Sequence, residues 1–242
     1  MTLRSLRSFV ERRSPLGAAL YRSLRDHVAA ARLTPRRTVE GFLLAADEAM
    51  LNGAFEPDER RIAQRLLPLC DVFVDVGANV GLYTCLARAA GRKVVAVEPQ
   101  PLNVQQIFRS LEANGWDDVE VWPVGVAAAA GALRLYGGGT GASLVRGWAG
   151  ISDVFRQTIP VTTLDTLLGG RFEGARLFVK MDIEGAERDV LAQNTEWASH
   201  VGCIKVEVHG DYTPDDCVRD LERLGFRARR DRRHEAAVLA ER

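Results

Sequence analysis

Lysine is almost missing from this chain of 242 residues. It occurs only at positions 93, 180 and 205, and arginine supplies the rest of the positive charge. That bias reads first as genomic composition and only weakly as phosphate binding. Net charge is missing too: 32 basic residues balance 32 acidic ones. No global field therefore draws in nucleic acid or an acidic membrane. Cysteine is sparse, at 70, 85, 203 and 217, with no C-x-x-C pair and no histidine at metal-finger spacing. Those facts exclude a zinc finger and favour buried free thiols in a reducing compartment. No apolar run approaches the roughly 20 residues of a membrane-spanning helix. Arg4, Arg7, Arg12 and Arg13 interrupt the stretch where a signal peptide would need apolar residues. The expected location is the cytoplasm.

What is present is a 47% apolar composition, enough for one sizeable core. Residues 1–40 stand apart. Leu3, Leu6, Phe9 and Val10 fall at helical spacing, as do Leu16, Leu20, Leu24 and Val28. They predict a helical extension, broken near Pro15 and ended near Pro35, packed on the main domain or on a second subunit, which would make a dimer. A helix lying on a membrane surface is the other reading. Glu11 and Asp26 interrupt its basic face and count against it.

Residues 41–242 read as one domain. Strand and helix patterns alternate from Pro57 onward: strands at 71–76, 93–97, 119–124, 176–181 and 203–208, helices at 57–67, 81–90, 101–113, 185–192 and 214–224. Such repetition predicts an α/β fold with a mostly parallel, doubly wound sheet covered on both faces. Residues 226–230 and 236–240 predict a closing antiparallel hairpin. That addition suits the methyltransferase version of a Rossmann-like sheet better than the dehydrogenase version. The stretch 127–170 breaks the rhythm, with short strands at 133–136 and 158–161. Within it, glycine-rich residues 137–156 predict an acceptor-binding lid.

The strongest motif is Phe73-Val74-Asp75-Val76-Gly77-Ala78-Asn79-Val80-Gly81. A buried strand runs into a tight turn and then a helix. Gly77 leaves room for a ligand at the backbone, and Gly81 lets the helix start close to the strand. The pattern is not G-x-G-x-x-G, so a pyrophosphate cradle is not expected. Asp75 would repel a pyrophosphate. It suits the ammonium and sulfonium of S-adenosylmethionine, with Asn79 adding a hydrogen bond. Glu98-Pro99 ends the next strand, where an acid accepts from ribose hydroxyls. Further on, Lys180-Met-Asp182-Ile-Glu184-Gly-Ala-Glu187 crowds three acids at a strand tip. Glu184 and Glu187 can also be explained as complements to a helix dipole. Lys205, Glu207 and His209 alternate onto one face of the next strand. An imidazole of ordinary pKa, about 6.5, suits a general base near neutral pH. Asp182, His209 and Glu207 are thus the catalytic candidates. Asp75, Gly77, Asn79, Gly81, Glu98 and Pro99 are the cofactor candidates.

Together with Thr163-Leu164-Asp165 and Glu207-Val-His209, these segments resemble the FkbM family of methyltransferases over residues 41–210. The resemblance implies a class I methyltransferase domain using S-adenosylmethionine. It also implies O-methylation of a hydroxyl on a sugar, glycan or secondary metabolite. No metal site is assigned. A divalent metal ion held by Asp182 and its neighbouring acids is a less favoured mechanism, because acids beside a helix N-terminus already have an ordinary explanation. The competing functions are a nucleotide-cofactor oxidoreductase, a non-catalytic binding module and a nucleic-acid methyltransferase. The missing glycine pattern, the intact polar set at three strand ends and the zero net charge count against them in turn.

Overall fold

The computed structural model describes residues 33–137, 142–147, 156–193 and 196–242. The helices expected within residues 1–32 lie outside that set. Residues 36–37 are not helical: β1 (Arg36–Arg37) pairs antiparallel with β2 (Leu43–Leu44). Helix α1 (Glu48–Leu51) follows, capped by Asp47, whose side chain accepts from the Met50 N–H. Helix α2 (Pro57–Leu66) starts on proline, which has no N–H to leave unsatisfied.

The main body alternates as the sequence predicts. Its strands are β3 (Val72–Val76), β4 (Lys93–Val97), β5 (Glu120–Trp122), β9 (Leu177–Met181), β10 (Val201–Glu207), β11 (Arg227–Arg230) and β12 (Ala237–Glu241). They form one seven-stranded sheet in the order β11-β12-β10-β9-β3-β4-β5. The five strands from β10 to β5 are parallel, and the closing hairpin is antiparallel. The helices between them are α3 (Leu82–Ala89), α4 (Pro101–Asn114), α5 (Leu164–Leu168), α6 (Glu187–Leu191) and α7 (Pro214–Arg223). Thr213 caps α7 in a full capping box with Asp216. This is an α/β fold of the Rossmann-like class I methyltransferase type. The chain reverses direction across the sheet between β3 and β9, so the crevice opens at their carboxyl ends.

The break at 127–170 holds a second, three-stranded sheet: β6 (Gly125–Val126), β7 (Gly131–Tyr136) and β8 (Arg156–Thr162), in the order β6-β8-β7. Leu135, Ile159 and Val161 give it a small core of its own.

Two cores cover the two faces of the main sheet. Val72, Val74, Val76, Val179 and Met181 point into one. Phe73 and Phe178 point into the other, with ring centroids 5.2 Å apart. The same alternation that buries the two phenylalanines also buries Asp75, Lys180 and Lys205 beneath α2 and α3. Register places Asp75 beside Lys180 and Lys180 beside Lys205. Glu59 of α2 pairs with the Lys205 ammonium, and Lys180 pairs with Asp182 at 3.2 Å. Each buried charge thus has a neighbour of opposite sign, as an interior of low dielectric demands.

Candidate active site

The turn after β3 and the loop after β9 interlock. The Asp182 N–H donates to Val76 O at 2.9 Å. Gly77 sits at φ +82°, and a Cβ there would lie 1.8 Å from Asp182 O. No other residue fits this crossing. Gly81, at φ +89°, starts α3 against Ile107 of α4, whose Cγ1 would be 2.9 Å from an added Cβ. Gly81 therefore serves helix packing and does not line the cavity.

Glu98 stands at the carboxyl end of β4. Its carboxylate accepts from the Asn79 N–H at 2.8 Å, the Gln100 N–H at 2.9 Å and the Asn103 side-chain amide at 3.2 Å. These bonds tie the β3–α3 turn to the start of α4. Burial pushes the Glu98 pKa up to about 7, and the three donors hold it from rising further. Asn79, at φ +52°, keeps a buried Oδ1 with no hydrogen-bond partner.

A cavity of about 350 Å³ opens above these residues. Its lining includes Gly77, Asn79, Glu98 and Pro99 together with Asp182, Glu184, Glu207 and His209. Leu135 of the small sheet, with Ala142 and Leu144, forms part of the wall. The Ser143 hydroxyl donates to Glu184 O at 2.5 Å, tying this part of the wall to the loop after β9. The rest of the lid expected at 137–156 falls largely outside the described residues.

Asp75 is placed differently from the sequence expectation. It is fully buried, accepts from the Thr84 hydroxyl at 2.7 Å and faces the charge of Lys180. Its carboxylate lies behind the turn, because strand alternation turns it towards α3.

His209 lies past the end of β10. Its Nδ1 is 2.8 Å from Glu187 Oε1. Glu187 has no exposure and also accepts from the Ile183 and Gly185 N–H groups. That bond leaves Nε2 facing the cavity, 3.7 Å from Asp182 Oδ1, 3.9 Å from Glu184 Oε2 and 3.9 Å from Glu207 Oε1. Burial lowers the His209 pKa. The hydrogen bond and charge of Glu187, with Asp182 and Glu184, outweigh it and push the value up to about 9. The ordinary pKa near 6.5 assumed for this imidazole is therefore corrected. Burial and the neighbouring Asp182 and Glu59 charges also raise the pKa of Glu207.

Two contributors carry no sequence signal strong enough to have marked them. Glu187 looks like an ordinary helix-start acid until its contact with His209 is seen. Glu56 lines the cavity and accepts from the Tyr83 hydroxyl at 2.8 Å. Burial, then the charge of Glu59, pushes its pKa up to about 7.

Among the described residues no helix is long and apolar enough to cross a membrane. Solved structures similar to this chain include two methyltransferases. One is the precorrin-6y C5,15-methyltransferase of Geobacter metallireducens GS-15, at 13% identity over 82% of this chain and 95% of that one, with a TM-score of 0.48. Another is the ribosomal protein L11 methylase of Lactobacillus delbrueckii subsp. bulgaricus, at 14% identity over 74% and 75%, with a TM-score of 0.46. No curated protein matches the chain. A family model described as the methyltransferase FkbM domain matches residues 75–228, from the tip of β3 into β11. The chain therefore belongs to the FkbM methyltransferases, a family and fold that imply S-adenosylmethionine as the methyl donor.

Proposed function

We propose that this methyltransferase acts on oxygen, methylating a hydroxyl of a sugar, glycan or secondary metabolite. One observation carries the reading: a single cavity is lined both by a hydrogen-bonded carboxylate, Glu98, and by a carboxylate-anchored imidazole, His209. The residues present fit the donor. Asn79 Oδ1 is a buried acceptor without a partner, suited to an ammonium, and Glu98 sits at the strand end suited to ribose hydroxyls. The carboxylates of Asp182, Glu184 and Glu207 complement a cationic ligand.

When bound, S-adenosylmethionine supplies an electrophilic methyl on a positively charged sulfur. The protein's part is to position the acceptor and to take its proton. Holding both reactants in one cavity removes most of the entropic barrier. The neutral form of His209, which grows as pH rises towards 9, would receive the hydroxyl proton at Nε2 as the oxygen–methyl bond forms and the methyl–sulfur bond breaks, and Glu187 would stabilise the imidazolium that results. Lys180 acts from behind the wall, holding Asp182 by an ion pair at 3.2 Å, and the buried Asp75 charge faces the same ammonium.

A second mechanistic reading rests on the ligand atoms of Asp182, Glu184 and His209, which lie within 4.8 Å of one another. A divalent cation there would bind the acceptor oxygen and lower its pKa. Chelator separates the two readings. The test of the function itself is transfer of labelled methyl onto a panel of hydroxylated sugars and metabolites, followed by identification of the labelled atom.

A further inference from the structure

A second groove lies between α2 and the β11–β12 hairpin, about 170 Å³ in volume. It shares no lining residue with the main cavity. Five arginines surround it: Arg61, Arg65, Arg229, Arg232 and Arg233. Asp231 is the lone acid among its lining residues, and buried Ile62 and Leu239 complete the lining. The arginine excess is chain-wide, but five guanidinium groups on one small groove are a local concentration in a chain of zero net charge.

The nearby acids do not cancel it. Asp58 is shared by Arg61 at 2.7 Å and Arg233 at 3.7 Å. Glu241 lies 3.7 Å from Arg229. Arg65 and Arg232 have no ion pair or hydrogen bond among the described residues. Exposed pairs of this kind contribute little. The arginines therefore keep most of their capacity to bind an anion, and a dianion between them would relieve their mutual repulsion. The guanidinium fork matches phosphate oxygens two at a time.

We propose that this groove binds the phosphate or diphosphate of a small phosphorylated ligand. Its volume suits a phosphoryl group rather than a whole drug-sized molecule, for which pockets start at roughly 300 Å³. No aromatic side chain lines it, so it offers no platform for stacking bases as a single-stranded nucleic-acid site does. The groove also adjoins the main cavity through the chain. His234 follows Arg233, and its Nε2 lies 3.8 Å from Oε1 of Glu207, which lines that cavity. A phosphate on the acceptor and a free diphosphate share this chemistry.

The test is calorimetric titration of the full chain with inorganic pyrophosphate in the presence of saturating S-adenosylhomocysteine, which occupies the cofactor part of the main cavity. Binding is expected, weakening as salt rises. The doubly substituted Arg65→Gln, Arg232→Gln protein should bind at least tenfold more weakly, with unchanged S-adenosylhomocysteine affinity. Glucose 1-phosphate titrated in parallel distinguishes the sources: tighter binding than pyrophosphate places the phosphate on the acceptor. The single Arg232→Gln variant, in an exposed turn, should show a smaller loss in the same direction and serves if the double variant fails to fold. No binding of either probe at low salt, or equal binding by wild-type and variant proteins, overturns the proposal.

Discussion

The imidazole of His209 and the carboxylate of Glu187 form a 2.8 Å contact whose acidic member has no solvent exposure. The two residues are 22 positions apart, on α6 and beyond β10. The contact favours the protonated form of the imidazole. A histidine held up to about 9 is an imidazolium at neutral pH. Its contribution to folding is complete below the unfolded value near 6.5 and is lost as pH rises through about 9.

The first prediction follows from that sign. If His209 is the base, kcat should climb with pH and level off near 9. His209→Ala should lower kcat by about 10²–10⁴-fold and spare cofactor affinity. Glu187→Gln should move the rise to lower pH by removing the main charge that holds the proton. An unchanged pH profile in the Glu187 variant, measured on folded protein, would show that the pair does not set the base.

The second concerns Glu98. Glu98→Ala should weaken S-adenosylmethionine binding by about 1.5–3 kcal/mol, the range for a hydrogen bond to a charged group. Because burial raises this carboxyl to about 7, affinity should fall as pH drops below that value. Calorimetry across pH 6–8 reads both effects, and a flat affinity would remove Glu98 from the ribose site.

The third concerns the buried charges. Lys180→Met leaves Asp75 and Asp182 without their shared cation and should cost about 3–5 kcal/mol of stability. Urea unfolding measures it. A loss under 1 kcal/mol would mean that the row of charges is not mutually supporting.

Gly77 provides the fourth. An added Cβ would overlap Asp182 O, so Gly77→Ala must separate the β3 turn from the β9 loop. Cofactor binding should be lost with only part of the stability. Retained affinity would contradict the interlock.

Much of this architecture is legible in the residues. β4 ends where its apolar run ends, and α7 starts at the Thr213–Pro214 signal. The order of acids along the strand tips is equally readable. Which way each acid points is not. Asp75 and Glu98 end neighbouring strands, yet Asp75 turns under α3 while Glu98 faces the cavity. That choice depends on which sheet face the helices cover. The β1–β2 pair is two residues long and too short for any periodicity. Glu56 lies in no motif, and its place on the cavity wall and its bond to Tyr83 across 27 residues are visible only in the fold.

Chelation separates the two mechanisms. With His209 as the base, chelator should leave turnover unchanged. Loss of turnover on chelation, restored by Mg²⁺, would instead place a cation among Asp182, Glu184 and His209.

The most direct test of the central claim is transfer of isotopically labelled methyl from S-adenosylmethionine to hydroxylated sugars and metabolites, with the product's labelled atom located by NMR. The account predicts label on a hydroxyl oxygen, with transfer lost or strongly slowed in the His209→Ala protein. Label on carbon or nitrogen, or full transfer by that variant, would contradict it.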